Sequence, residues 1–445
     1  MEKASIELER YRQAVEYVEG FSNSSIRKNK GAKKKDPSFY LDRTRYFLDF
    51  VGAPYGALKQ GQKRGPKYIH VTGTAGKGST STMLQEMLVV AGHTTGLFTS
   101  PYVTTAAEKI RVDGKYISGK IYAELVDFLK PYVVEAQNGP YGGPSAFELS
   151  LAIALLYFER MKCEWVVLEV GLGGRYDATN VIERPVVATI TNIDYDHMDV
   201  LGKTLTEIAS DKMGIIKPGC AFFTAEQRPG LQRLFKKTCA TVGAEFNAVP
   251  HQPNHSSYNA ELVRAIGRHI ELAEADIEKG ISRARLPCRF EVVQDKPLII
   301  LDGAHNRAKI RSTMTNLSRP DIQARFERGG KLHLIVAIAD THKEKKRILE
   351  PLLSTGWPTW LVLTQVRGVD RMSVSPMTLV ATARRYMKAK GPIEVIESPS
   401  KALEAVLHDA VKDDVILIVG SFFLAGELRK KWYPEEWVMR HRRSF

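Results

Sequence analysis

Residues 68–92, YIHVTGTAGKGSTSTMLQEMLVVAG, read in succession as a strand, a glycine turn and a helix. The apolar run Tyr68 to Val71 predicts a buried strand. Met83, Leu84, Met87 and Leu88 recur at helical spacing until Gly92 supplies a C-terminal stop. Between them lie Gly73, Thr74, Gly76, Lys77, Gly78 and Ser79. Glycines let an anion approach bare backbone N–H groups, the helix N-terminus adds a partial positive charge, and Lys77 adds a full one. A plain glycine-rich turn is the alternative, but glycines, lysine and hydroxyls coincide here in the strand-turn-helix context that a phosphate loop requires. The general P-loop pattern places Ser or Thr directly after the lysine, where it reaches Mg²⁺. Gly78 fills that position and the hydroxyl comes one later, at Ser79, so metal ligands are to be sought elsewhere.

Outward from this loop the chain alternates strand and helix. TGLFTS, a helix around SAFELSLAIALLYFER, EWVVLEVG and PVVATITNID follow the rhythm of a mostly parallel sheet with helices on both faces. From Pro297 the short apolar runs PLIILDGAH, KLHLIVAIAD, TWLVLTQV, IEVIES and DVILIVGS repeat the pattern. The expected class is therefore α/β: a P-loop ATPase-like, mostly parallel N-terminal domain and a smaller, Rossmann-like C-terminal one. Pro287 and Pro297 bracket a polar, poorly periodic stretch. The expected division is an ATP-binding domain over 1–285, a linker over 286–296 and a C-terminal domain over 297–445.

The 445 residues leave room for two or three domains with full cores. A net charge of +14 invites a nucleic-acid reading. Part of that charge is local to an insertion near 22–38, where Arg27, Lys28, Lys30, Lys33, Lys34 and Lys35 crowd a polar segment without apolar periodicity. No aromatics interleave these cations and no nucleic-acid module is recognisable, so a solvated loop is expected and not an RNA or DNA partner. The start reads as an acidic amphipathic helix and no run is apolar enough to span a bilayer, so a soluble, cytoplasmic monomer with no membrane partner is expected. Cys163, Cys220, Cys239 and Cys288 are widely spaced and form no metal-ligand motif; reduced, buried thiols are the expectation.

In open parallel sheets ligands bind beyond the carboxyl ends of the strands. Ser100 follows GLFT, Glu169 ends WVVLE, and Asp194, Asp196 and His197 follow VVATITNI. A hydroxyl, a carboxylate and an imidazole at one sheet mouth could hold Mg²⁺ against nucleotide phosphates; each alone could equally be a cap or a satisfied surface group. Lys212 lies on a helix beside Asp211, where a solvated or paired lysine is the ordinary outcome. Asp302 and His305 stand at the end of PLIILD, while Arg289 and Glu291 fall in the linker. Asp302 suits a ribose hydroxyl and Arg289 a phosphate if the second domain closes over the first; linker salt bridging is the alternative.

The motifs VTGTAGKGST, LFTSPY, FELSLAIALLYF, LEVGLGGRYDATNVI, ITNIDYDHMDVLGKTLTEIASDKMGIIKPG, RFE, ILDGAHN and IVGSFFLAGELR occur in one order from Tyr68 to the C-terminus. In this the chain resembles the ATP-dependent Mur ligase superfamily, and within it the folylpolyglutamate synthase and dihydrofolate synthase family. The resemblance implies ATP and Mg²⁺, with two metal ions, and small-molecule substrates: a folate or related carboxylate and L-glutamate. It implies that Ser100, Glu169 and His197 ligate Mg²⁺, that Lys212 is carbamylated and supports the second ion, that Arg289 and Asp302 engage ATP, and that His305 lies in the same nucleotide-contacting motif. Lys77, Lys212 and His305 are the implied catalytic set. The implied reaction moves the γ-phosphoryl group of ATP to a carboxylate, and the resulting acyl phosphate is attacked by an amino acid's amine.

Departures bear on the substrate. The family usually has Asn where Ala75 stands, His where Tyr102 follows TSP, Gly where Cys288 precedes Arg289, and Pro where Arg307 follows AHN. Three readings stay open: a folate:glutamate ligase, with or without dihydrofolate synthesis, a Mur-type ligase acting on a different carboxylate, and a nucleotide-binding RNA-associated protein.

Overall fold

A computed structural model describes residues 2–21, 36–54, 65–195, 197–252, 255–338, 345–357, 359–366, 373–388 and 391–445. The basic cluster Arg27 to Lys35, Asp196 and most of the DTHKEKK turn lie outside the described residues. The chain divides into two compact units, Met1–Arg285 with Met439–Arg443, and Leu286–Val438 with Ser444–Phe445.

The first unit carries an eight-stranded sheet. Its strands are β1 (Lys67–Thr72), β2 (Thr95–Phe98), β3 (Ile110–Val112), β4 (Lys115–Tyr116), β5 (Trp165–Glu169), β6 (Val187–Ile190), β7 (Ala221–Thr224) and β8 (Glu245–Ala248), in the order β4-β3-β2-β5-β1-β6-β7-β8. β2, β5, β1, β6, β7 and β8 run parallel, and β3 and β4 close one edge antiparallel. β1 lies between β5 and β6, with Val71 opposite Glu169 and Thr72 opposite Ile190. The loops leaving these three strands therefore meet at one sheet mouth. Ile69, Val71, Leu84, Met87, Leu97, Val167 and Val187 share one buried core, the burial that the apolar run and helical spacing predict.

The helix Ala146–Arg160 begins with a capping box. The Glu148 N–H donates to the Ser145 hydroxyl, and the Ser145 N–H donates to the Glu148 carboxylate at 2.5 Å. Arg43 and the Thr44 hydroxyl add bonds to the same carboxylate, which is buried. Ser145→Ala should therefore lower stability by about 1 kcal/mol, measured as a shift of the urea midpoint at constant m-value.

The second unit carries a six-stranded sheet, β13-β12-β11-β14-β10-β9. The parallel strands β10 (Leu298–Leu301), β11 (Leu332–Val336), β12 (Thr359–Leu363), β13 (Ile393–Val395) and β14 (Val415–Val419) are the runs expected from sequence. β9 (Glu291–Gln294) was not expected: part of the stretch read as a linker is an antiparallel edge strand on β10. Its polar look has a local cause. Glu291 is buried because the fully buried Arg429 donates to both of its carboxylate oxygens, at 3.0 and 2.9 Å, so a charged residue points inward from a strand. The expected 297–445 domain also loses residues 439–443 to the first unit, where Tyr116 N–H donates to Arg442 O at 2.8 Å and the Arg442 guanidinium returns a bond to Tyr116 O at 2.6 Å.

All four cysteines are free and buried, and burial pushes the Cys163 and Cys239 thiols up to about 12. Among the described residues no helix is long and apolar enough to cross a membrane.

Candidate active site

The glycine turn after β1 is held from the β6 loop. Thr74 N–H donates to Asn192 O at 3.0 Å, Ala75 N–H to the Asn192 side-chain oxygen at 2.8 Å, and the Thr191 hydroxyl to Ala75 O at 2.5 Å. The Thr74 hydroxyl exchanges bonds with the Asp194 backbone, donating to its carbonyl at 3.1 Å and accepting from its N–H at 3.0 Å. Gly73 has φ +150, and a Cβ there would lie 1.9 Å from the Thr191 hydroxyl oxygen. Gly76 has φ +84, and its Cβ would meet the Asn259 side-chain oxygen at 2.6 Å. Both positions thus need glycine for conformation and for space. Thr191, Asn192 and Asn259 were given no role from sequence: the first two lie in the quoted ITNID motif, but their bonds to the glycine turn are long-range, and Asn259 is an uncharged residue on a helix.

Lys77 opens the helix Lys77–Val90, and its ammonium donates to Gly73 O at 3.0 Å. Lys212, the last residue of the helix Leu205–Lys212, is only 3% exposed and donates to the same carbonyl at 3.3 Å. The solvated lysine of the ordinary outcome is therefore a buried one, turned into the phosphate loop. Its position is set by the GLGG run. A Cβ on Gly174 would lie 2.7 Å from Lys212 O, and one on Gly173 would lie 2.2 Å from an Asp211 carboxylate oxygen. Backbone without side chains therefore lies flush against the end of the Lys212 helix, and Arg175 N–H donates to Asp211 O at 2.9 Å. The Thr72 hydroxyl ties this loop back to β1 through Gly173 O at 2.6 Å. Burial raises the Asp211 carboxyl above its ordinary value, with Lys212 pulling against it.

Of the expected metal ligands, Ser100 and Glu169 are brought together: Ser100 N–H donates to a Glu169 carboxylate oxygen at 3.2 Å, and Glu169 is 4% exposed. His197 is exposed and left-handed, with φ 47 and ψ 41, in the loop after β6. No group of three or more His, Cys, Asp or Glu among the described residues is arranged to hold a metal ion.

The second unit presents its own polar cluster at the carboxyl end of β10. Asp302 is 7% exposed; its carboxylate accepts from Ala304 N–H at 3.0 Å and from the Thr313 hydroxyl at 2.7 Å. Burial raises its carboxyl, opposed by the Thr313 bond and by Arg289. The Arg289 guanidinium sits 5.1 Å from the centre of the Phe422 ring. Gly303 leaves room for both, since a Cβ there would lie 2.3 Å from the Phe422 ring and 3.1 Å from Arg289 Nη1. Cys288 and Phe290, on either side of Arg289, have φ values of 53 and 48. The left-handed backbone at Cys288 is the conformation in which a glycine would be at ease, and backbone of this kind clusters at functional sites.

Residues 71–254 match the family model for the Mur ligase middle domain, and residues 288–422 match that for the Mur ligase glutamate ligase domain. The chain is 37% identical to the dihydrofolate synthase/folylpolyglutamate synthase of Bacillus subtilis (strain 168), over 55% of this chain and 67% of that protein. The chain belongs to this family of Mur ligases. It spans about half the length of two archaeal relatives described as probable bifunctional folylpolyglutamate synthase/dihydropteroate synthases. The folylpolyglutamate synthase structure of Thermotoga maritima shares the fold at a TM-score of 0.71 and 27% identity, covering 89% of this chain and 95% of that one. A bifunctional folylpolyglutamate synthase/dihydrofolate synthase solved with Mn, AMPPNP and L-glutamate bound matches at 0.69 and 26%, covering 88% and 93%. The fold of two α/β units, each built on a mostly parallel sheet, is that of these enzymes.

Proposed function

We propose that the chain is an ATP-dependent amide ligase that adds L-glutamate to a folate, with glutamylation of dihydropteroate as a second activity of the same site. The observation that carries this reading is the convergence of Lys77 and Lys212 on one carbonyl, Gly73 O, inside a glycine turn where any side chain would clash. Two ammonium groups so held lie within roughly 6 Å of each other, where like charges repel by a few kcal/mol at an effective dielectric near 20. Carbamylation of Lys212 removes that repulsion, and a triphosphate in the turn offsets the Lys77 charge and takes up the backbone N–H groups at the helix start.

In the reaction, a bond forms from the folate carboxylate oxygen to the γ-phosphorus as the bond to ADP breaks. The glutamate nitrogen then bonds to the acyl carbon, phosphate leaves with the bridging oxygen, and the surplus amine proton passes to solvent. Lys77 offsets charge on the transferring group, and the glycine turn with Thr74, Gly78 and Ser79 orients it. Ser100, Glu169 and His197 are the residues that would hold Mg²⁺, a hydroxyl, carboxylate and imidazole set that suits it when water completes the shell. The metal supplies charge neutralisation on the phosphates. We propose that Lys212 is carbamylated: its amine bonds to the carbon of CO₂ and sheds a proton, turning a cation beside Lys77 into an anion that can face a second ion. Arg289 and Asp302 are assigned to the nucleotide, as phosphate and ribose contacts.

One departure bears on the alternative, a Mur-type ligase acting on a different carboxylate. Tyr102, standing where the family usually has His, bonds through its hydroxyl to Glu19, and Lys109 sits 5.2 Å from its ring centre. This loop beside Ser100 is where a substrate other than a folate would be told apart. Mass spectrometry of products after incubation with ATP, Mg²⁺, glutamate and either tetrahydrofolate or dihydropteroate decides between them. A gain of one glutamyl residue supports the folate reading. ADP release with another carboxylate, and none with either folate precursor, would leave the ligase and remove the folate.

A further inference from the structure

β1 has two buried faces of opposite character. Ile69 and Val71 enter the apolar core, whereas Tyr68, His70 and Thr72 alternate onto the other face and carry polar groups. Two of the three tie down neighbouring chain: the Tyr68 hydroxyl donates to Pro54 O at 3.3 Å and the Thr72 hydroxyl to Gly173 O at 2.6 Å. His70 has a different use. It is fully buried, its Nε2 lies 2.8 Å from the Thr179 hydroxyl oxygen, and among the described residues its Nδ1 has no partner. A leucine would fill nearly the same volume without leaving a buried nitrogen unbonded.

The hydrogens in this chain of bonds run one way. The Thr179 hydroxyl donates to Asp177 Oδ1 at 2.5 Å, beside Thr179 N–H at 2.9 Å, and Leu172 N–H donates to Asp177 Oδ2 at 3.0 Å. A hydroxyl has one proton to give, so Thr179 accepts from His70, and Nε2 carries the imidazole's hydrogen. The reverse order needs a protonated Asp177 and an Nδ1–H donor with no acceptor. Three donors on the carboxylate favour its anion, and a buried donor without an acceptor is rare. Burial and the field of Lys217 push the imidazole down to about 3, so it is neutral near pH 7.

We propose that His70 is a positioning residue for the ligase reaction: through Thr179 it fixes the Asp177 carboxylate on the Leu172 amide, and so sets the loop that joins Glu169 to the end of the Lys212 helix. The inference rests on the roles of Glu169 and Lys212 given above.

The bonds of that loop carry the argument. Val170 N–H donates to Val71 O at 2.9 Å and Gly173 O accepts from Thr72, so both ends of the segment are tied to β1. Between them the Asp177 carboxylate holds Leu172 N–H. Gly171 leaves room for it, since a Cβ there would lie 3.3 Å from Asp177 Oδ2 and 2.7 Å from the Phe147 ring. Glu169 stands one residue before the first tie, and the Gly173–Gly174 backbone is the surface on which the Lys212 helix ends. A displaced Asp177 therefore moves the seats of both. The Thr179 hydroxyl is free to turn about its C–O bond; the imidazole N–H occupies its lone pair and strengthens the bond it gives to Asp177.

The test uses the full chain. Imidazole ¹⁵N NMR, with the His70 signal identified by its loss in His70→Gln, should show a protonated Nε2 and a bare Nδ1 at pH 7. The amide nitrogen of glutamine lies as many bonds from the backbone as Nε2, that of asparagine as many as Nδ1, and leucine offers no donor. Hydrogen exchange across residues 169–177 should therefore stay near native in His70→Gln and quicken by about 10-fold in His70→Asn and His70→Leu, the loss of one hydrogen bond, with exchange in β11 unchanged. In glutamyl transfer His70→Leu should lower kcat by about 10-fold with the KM for ATP within about twofold, and His70→Gln should keep most of the native kcat. A residue that only fills the core gives the opposite order, with leucine harmless and the two amides alike. That order overturns the inference, as does an imidazolium or an Nδ1-protonated His70 in the native protein, or unchanged exchange across 169–177 in His70→Leu. If His70→Leu does not fold, the contrast between the glutamine and asparagine variants decides in its place. If the native chain makes no glutamyl product, the ligase reading falls, and the tautomer and the exchange rates still decide whether His70 sets this loop.

Discussion

Lys77→Ala is expected to lower kcat/KM for ATP-dependent glutamyl transfer by about three orders of magnitude, or about 4 kcal/mol of transition-state stabilisation, while the protein stays folded. The Lys77 ammonium is anchored 3.0 Å from Gly73 O, at the first residue of its helix. A charge held there needs no reorganisation when the phosphoryl group moves, which is the condition under which a single donor contributes most. The bond to Gly73 O itself contributes about 1 kcal/mol to folding, so far-ultraviolet circular dichroism should be unchanged and the urea midpoint only slightly lower. The turn does not depend on Lys77 for its shape, because Asn192 and Thr191 hold Thr74 and Ala75 from the neighbouring strand's loop. ATP consumption near the native rate in the variant would rule out the phosphate-loop assignment.

The same residues explain what the sequence could reveal and what it could not. β1, its turn and its helix are legible because the pattern is local: an apolar run, glycines at fixed offsets and a helical repeat within 25 residues. The strands that carry Ser100 and Glu169 are legible for the same reason, and the rule that ligands sit beyond strand ends points to both residues. Three strands at or next to the sheet edges, β3, β4 and β9, are not. β3 and β4 are three and two residues long, too short for a period to register, and β9 is hidden by Glu291, whose partner Arg429 lies 138 residues away. The supports of the phosphate loop are equally non-local: Asn192 lies 117 residues from Ala75, and Lys212 lies 139 residues from Gly73. Spacing and composition around Lys212 do not distinguish it from a surface lysine; only the resemblance of its motif singles it out. What buries it is the GLGG run, whose glycines read as a turn and serve as a flat surface for the helix end. The left-handed Cys288 is the reverse case, a residue that hides the glycine-like backbone beside Arg289.

Lys212→Ala should lower glutamyl transfer by about a thousandfold or more, and added acetate should restore part of it. As an amine, Lys212 shares Gly73 O with Lys77 in a buried site, an arrangement of like charges that is unfavourable in a medium of low effective dielectric. As a carbamate it reverses sign, neutralises Lys77 and can face a metal ion, so its removal would leave Lys77 without its counter-charge and the phosphates without the ion that offsets theirs. Alanine leaves a cavity at the end of the Leu205–Lys212 helix, bounded by the Gly173–Gly174 backbone, and a small carboxylate can enter it. The rescue separates chemistry from packing: acetate supplies a negative charge without refilling the lysine chain, whereas an amine such as ethylamine supplies bulk with the opposite sign. Rescue by acetate and not by ethylamine is the expected result, with native activity also falling when CO₂ and bicarbonate are stripped from the buffer. Loss of activity that neither additive reverses, with native activity indifferent to bicarbonate, would mean that Lys212 acts as an ammonium group and that the loop binds its phosphates with two cations.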